Sequence, residues 1–92
     1  MNSNDDIEAP QNKKRSYKTS DLYFSTFLLS LDIPLKHTEK EKNERETKVV
    51  FVFEISDAVL ARSKALYFGG TGTVVARKFV DNMRSLKSLV YV

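Results

Sequence analysis

A small α+β domain, with a β-hairpin packed on three helices, is the fold this chain predicts, and three observations predict it. Thr47–Ile55 (TKVVFVFEI) is a run of β-branched and aromatic residues. Val74–Tyr91 carries apolar residues at helical spacing, and Ser56-Asp57 and Gly69-Gly70 bracket a helix-length segment before it. The chain has 92 residues, enough for one core and too few for two. The expected order is α-β-β-α-α.

The first segment, residues 1–16 (MNSNDDIEAPQNKKRS), has only Met1, Ile7 and Ala9 as apolar residues. It offers too little surface to offset the roughly 1–2 kcal/mol of backbone entropy per ordered residue, and is expected to be a disordered arm. The folded domain is expected over 17–92. Thr19 and Ser20 suit a helix N-cap and Asp21 suits the positive end of its dipole. Phe24, Phe27, Leu28 and Leu31 then form a core-facing stripe, with Tyr23 and Leu29 spreading the apolar surface further round. Asp32 and Pro34 end that helix, because the residue before proline avoids helical angles.

Ile33–Thr38 reads as a short strand and Glu39–Glu46 (EKEKNERE) as a solvated hairpin loop. In Thr47–Ile55, Val49, Phe51 and Phe53 share one face and Lys48, Val50, Val52 and Glu54 the other. The second face is half apolar, which implies either cover or a contact surface. Asp57–Phe68 is the second helix, Thr71–Thr73 a turn, and Val74–Tyr91 the third helix. Its apolar side is Ala76, Phe79, Val80, Met83, Leu86 and Val90.

Composition narrows the function classes. There is no cysteine, so a disulfide scaffold, a zinc ribbon and a thiol nucleophile are all excluded. No apolar run approaches the ~20 residues that span a bilayer, and the N-terminus lacks signal-peptide character. A cytoplasmic protein is expected, with no membrane contact.

The stretch Tyr17-Lys18-Thr19-Ser20-Asp21-Leu22-Tyr23 is followed by an apolar helix. Further on come a Val-rich strand ending in Phe53-Glu54, then Tyr67-Phe68-Gly69-Gly70, Ala76-Arg77-Lys78-Phe79-Val80 and Arg84-Ser85-Leu86-Lys87-Ser88-Leu89-Val90-Tyr91. In these segments the chain resembles an uncharacterised family of small prokaryotic, phage and mobile-element proteins, over roughly Tyr17 to Tyr91. Its charged loop and long N-terminal arm depart from that family's pattern. The resemblance implies a cytoplasmic setting and a link to mobile-element biology. The family has no assigned activity or catalytic residues, so it lends none to this chain.

Little catalytic chemistry is visible. The one histidine, His37, has no cysteine or clustered carboxylate for a metal site and reads as a surface strand residue. Glu39, Glu41, Glu44 and Glu46 lack the spacing of a calcium loop. Gly69-Gly70-Thr71-Gly72-Thr73 precedes a helix and offers amides to an anion, but it follows a helix and lacks the Lys-Ser/Thr of a P-loop. Helix termination and a tight turn account for it. No metal, cofactor or small-molecule substrate is expected, and no enzyme.

Charge gives the functional expectation. The chain is +3 overall, and the charge is uneven: residues 1–57 hold 9 basic and 11 acidic side chains, residues 58–92 hold 6 basic and Asp81 alone. Arg77 and Arg84 fall on one side of the third helix, and Lys78, Lys87 and the Arg62/Lys64 pair are expected to adjoin them. Such a face attracts phosphate backbones by counterion release, and Lys13, Lys14 and Arg15 (with Lys18) add an N-terminal contribution. A solvated helix face is the plain alternative. Phe24, Phe27, Phe51, Phe53 and Phe79 sit at core spacings and read as packing. The expected function is a non-enzymatic accessory or regulatory binding protein that contacts DNA or RNA through Arg62, Arg77, Lys78, Arg84, Lys87, Lys13, Lys14 and Arg15. The alternative is a protein-interaction module, a phage or mobile-element inhibitor or adaptor, engaging a protein partner or forming a homodimer through the hairpin and its Val50/Val52 face.

Overall fold

A computed structural model of the chain describes residues 13–90. The order is β1 (Lys14–Thr19), α1 (Leu22–Ser30), β2 (Leu35–Lys42), β3 (Thr47–Ser56), α2 (Asp57–Phe68) and α3 (Ala76–Val90). The α+β class and the hairpin packed on three helices are as expected. The N-terminal segment adds a strand. Residues 14–16, placed by sequence in the arm, pair with β3 instead, and residues 1–12 of that arm lie outside the described residues. The sheet order is β1-β3-β2, antiparallel throughout.

β3 is central, and this explains its composition. Phe51, Phe53 and Ile55 turn toward the helices and join Phe24, Phe27, Leu28 and Leu86 in the core. Removing each such side chain from water is worth about 1.5–3 kcal/mol. Val50 and Val52, on the opposite face, are 5% and 1% exposed. In register beside them stand Lys18 of β1 and His37 and Glu39 of β2. Directly opposed residues share a face, so these long side chains flank the two buried valines.

β2 runs further than sequence suggests. Glu39–Lys42 pair with Val50, Val49, Lys48 and Thr47, leaving a loop of Asn43–Glu46 only. Cross-strand hydrogen bonding overrides the low strand propensity of glutamate and lysine. In the loop the Asn43 side-chain oxygen accepts from the amides of Arg45 (2.8 Å) and Glu46 (2.9 Å), an Asx turn that closes the hairpin. A register shift between Leu35 and His37 keeps Leu35 on the Phe53 side while His37 joins the Val52 side.

Asp21, and not Thr19 or Ser20, caps α1, its carboxylate accepting from Phe24 N at 2.9 Å. Thr19 Oγ1 instead accepts from Asp21 N at 3.1 Å. The helix is buried along nearly its whole length, with Ser25, Thr26 and Ser30 as well as Phe24, Phe27 and Leu28 out of solvent. The small polar residues meet α3: Thr26 Oγ1 lies 3.7 Å from Met83 Sδ and Asn82 Nδ2 donates to Ser30 Oγ at 3.3 Å. α1 ends at Leu31, and Asp32 takes a left-handed conformation with φ 66°. Ser56 caps α2, accepting from Val59 N at 3.2 Å. α3 begins two residues later than expected, at Ala76, and Tyr91 lies outside the described residues.

Candidate nucleic-acid interface

The outward side of α3 is where the predicted cations gather. Arg77 and Arg84, seven residues apart, line one shallow open depression together with Ala76 and Val80. Val80 is 44% exposed there, so the floor between the two guanidiniums is apolar. Arg77 Nε also contacts Asp81 Oδ1 at 3.3 Å, in an exposed pair one helical turn apart. Such a pair is worth a few tenths of a kcal/mol and partly offsets the Arg77 charge without burying it. Arg84 and Lys87 are exposed and make no ion pair among the described residues.

The other predicted residues do not converge on that depression. Lys78 points across to the end of α1, where Nζ donates to Asp32 Oδ1 at 2.6 Å. Arg62 belongs to α2, which packs on β3 and α1, whereas α3 packs mainly on α1. Lys14 and Arg15 belong to the sheet: Lys14 opposes Ser56, and Arg15 Nε lies 3.4 Å from Asp57 Oδ2 at the start of α2. Lys13, exposed, directly precedes β1.

The glycine turn is structural. The amides of Gly70, Thr71 and Gly72 donate to Tyr67 O, Leu66 O and Leu66 O at 3.2, 3.0 and 2.9 Å, which closes the end of α2 and leaves none of them for an anion. Gly70 has φ 77°. At Gly72 a Cβ would sit 2.7 Å from the Phe27 ring. On the sheet, Lys18 Nζ (3.1 Å) and His37 Nε2 (3.0 Å) both reach Glu39, which holds its carboxyl below the ordinary glutamate range, the His37 hydrogen bond first and the Lys18 one second. Val50 and Val52, read from sequence as a possible contact surface, are buried beside this trio and present no apolar patch.

Sequence reasoning missed a cluster of aromatic rings at the end of α2. Phe68 is 64% exposed and Tyr23 56%. Phe68 leans on Phe24 (centroids 5.3 Å apart, planes at 34°) and meets Tyr67 edge-on (4.9 Å, 90°). Lys64 Nζ sits 5.2 Å from the centroid of Tyr17. Burial raises the Tyr67 pKa, with smaller contributions from Asp21 and Tyr23 nearby. The signal available was Tyr67-Phe68 directly before two glycines, where a helix stops and a large ring has little chain left to cover it.

Among the described residues no group of three or more His, Asp or Glu side chains is placed to hold a metal ion, and no helix is long and apolar enough to cross a membrane. The chain matches no family model and shows no significant similarity to a curated protein or a solved structure.

Proposed function

We propose that this chain is a non-enzymatic nucleic-acid-binding protein, an accessory or regulatory factor that holds a phosphate backbone on the outward side of α3. One observation carries the reading: Arg77 and Arg84 border the same open depression, with Arg84 free of any ion pair among the described residues. Two guanidiniums one heptad apart present a row of donors to phosphate oxygens, and Val80 between them leaves the sugar face an apolar contact. Charge supports it. All 15 Lys and Arg lie in the described residues, whereas Asp5, Asp6 and Glu8 fall outside them, so the described part is more basic than the chain as a whole. A phage or mobile-element setting rests on the family resemblance over roughly Tyr17 to Tyr91.

The test is a titration of labelled single- and double-stranded oligonucleotides at low and moderate salt. Affinity should fall steeply as salt rises, and Arg77→Gln with Arg84→Gln should weaken it and flatten the salt dependence by about 1–2 in log-log slope. Absence of binding at about 50 mM salt, where counterion release favours it most, removes the reading.

The interaction alternative loses its main motive, the Val50/Val52 face, to burial. Self-pairing along the β2 edge is also disfavoured. Glu39 and Glu41 share one face of β2 and Lys40 and Lys42 the other, so an antiparallel pair of β2 strands opposes like charge to like.

A further inference from the structure

The exposed ring at the end of α2 is held in a way that a packing role alone does not require. Phe68 is held against Phe24, its plane tilted 34° away, and against Tyr67 at right angles, yet stays 64% exposed. A large apolar ring fixed in place and still mostly open to solvent is a ready stacking surface. Tyr23, 56% exposed, directly precedes in α1 the Phe24 on which Phe68 leans, and offers a second open ring. Lys64 is one helical turn before Phe68, exposed, above the Tyr17 ring and in no ion pair among the described residues. The nearby carboxylate, Asp21, is engaged as the cap of α1.

We infer that Phe68 and Tyr23 form a stacking shelf for the bases of single-stranded nucleic acid, with Lys64 beside it for the backbone phosphate. The inference rests on the proposed nucleic-acid function and adds its strand state. Bases in a duplex are already stacked on one another and cannot lie on these rings. Unpaired bases can, and every base has a π-face, so the shelf selects single strands without selecting sequence. The Lys64 ammonium suits a backbone phosphate, which every base-stacking nucleotide brings with it.

The experiment compares a labelled oligothymidylate, an oligouridylate and a duplex of the same length, titrated with the full chain. Phe68→Leu keeps an apolar contact with Phe24 and removes the ring, and Phe68→Trp restores one. Phe68→Leu should weaken both single strands about ten-fold and leave duplex affinity and the salt slope unchanged, with Phe68→Trp recovering most of the loss. A circular-dichroism spectrum and an unchanged urea midpoint verify that Phe68→Leu is folded. Unaltered single-strand affinity in Phe68→Leu, while Arg84→Gln weakens it, overturns the shelf and leaves the α3 reading standing. Equal loss on single strand and duplex overturns it too. A wild-type dimer in light scattering that Phe68→Leu dissolves assigns the rings to a second copy and overturns it. If no oligonucleotide binds the wild type at low salt, the α3 reading itself fails first.

Discussion

Lys78 of α3 and Asp32 at the end of α1 meet at 2.6 Å, far apart in sequence and joined by one ammonium–carboxylate contact. The pair is exposed, with side chains 41% and 78% accessible, so its contribution to stability is at most about 1 kcal/mol. Its consequence is positional. Lys78 is drawn toward α1 and away from the depression that Arg77 and Arg84 line, which divides the cations of α3 into two groups.

That division predicts different behaviour for two substitutions that look alike in sequence. Arg84→Gln should weaken oligonucleotide binding and lower the slope of log Kd against log salt by about 1. Lys78→Gln should leave both nearly unchanged. Equal slope changes for the two variants would show that Lys78 also reaches the phosphate backbone.

The glycine turn makes a second prediction, in which two glycines respond for different reasons. Gly72→Ala drives a methyl group to within 2.7 Å of the Phe27 ring and 3.2 Å of Leu66 Cβ, and should cost about 1–3 kcal/mol. Gly70→Ala meets open space but a φ of 77°, and should cost about 1–2 kcal/mol. Asparagine tolerates left-handed angles, so Gly70→Asn should be milder than Gly70→Ala. Gly72→Asn should be at least as severe as Gly72→Ala, because the obstacle there is volume. Urea midpoints at constant m-value read all four.

Ser25 offers a third. Its hydroxyl is fully buried and finds no hydrogen-bond partner among the described residues, whereas Ser30 Oγ donates to Thr26 O at 2.8 Å and accepts from Asn82. Ser25→Ala should therefore leave stability unchanged or raise it by up to about 1 kcal/mol, since an unpaired polar group leaves the interior. Ser30→Ala should lose about 1–2 kcal/mol, because it strands the Asn82 amide. A large loss in Ser25→Ala would mean that its hydroxyl has a partner in solution.

The Glu39 trio sets a pH dependence. His37 and Lys18 hold the Glu39 carboxyl below its ordinary range, so the folded state favours the ionised form. A depressed folded pKa contributes stability that is fully present above the unfolded value of about 4.3 and lost as pH falls through the folded one. Stability should thus decline on acidification below about pH 4.5, and Glu39→Gln should remove that part of the decline. Thermal melts of both proteins across acid pH check it. A parallel decline in the two would assign the acid sensitivity to other carboxylates.

Much of the architecture is legible in particular residues. Ser56 and the Phe68-Gly69 junction mark α2 at both ends, because a cap and a glycine stop are local signals. Phe79 and Leu86 mark the inward side of α3, because helical periodicity is local as well. β1 was not legible. In KRSYKT only Tyr17 is apolar, and the strand exists because β3 has an edge to be filled. The same holds for Glu39–Lys42, which are strand residues by virtue of Thr47–Val50 opposite. In the candidate site, the Arg77/Arg84 pairing followed from the seven-residue spacing. The departure of Lys78 and the open face of Phe68 depended on residues distant in the chain.

Class, core rows and the limits of α2 were thus written in the amino-acid order, since burial periodicity and capping act over a few neighbouring residues. Three matters waited for the chain to close on itself. These were the third strand, the concealment of Val50 and Val52 beside Lys18, His37 and Glu39, and the sorting of the cations into engaged and free. Each depends on which distant backbone lies alongside, and hydrogen-bond registry and charge pairing between remote segments have no signature within either segment alone.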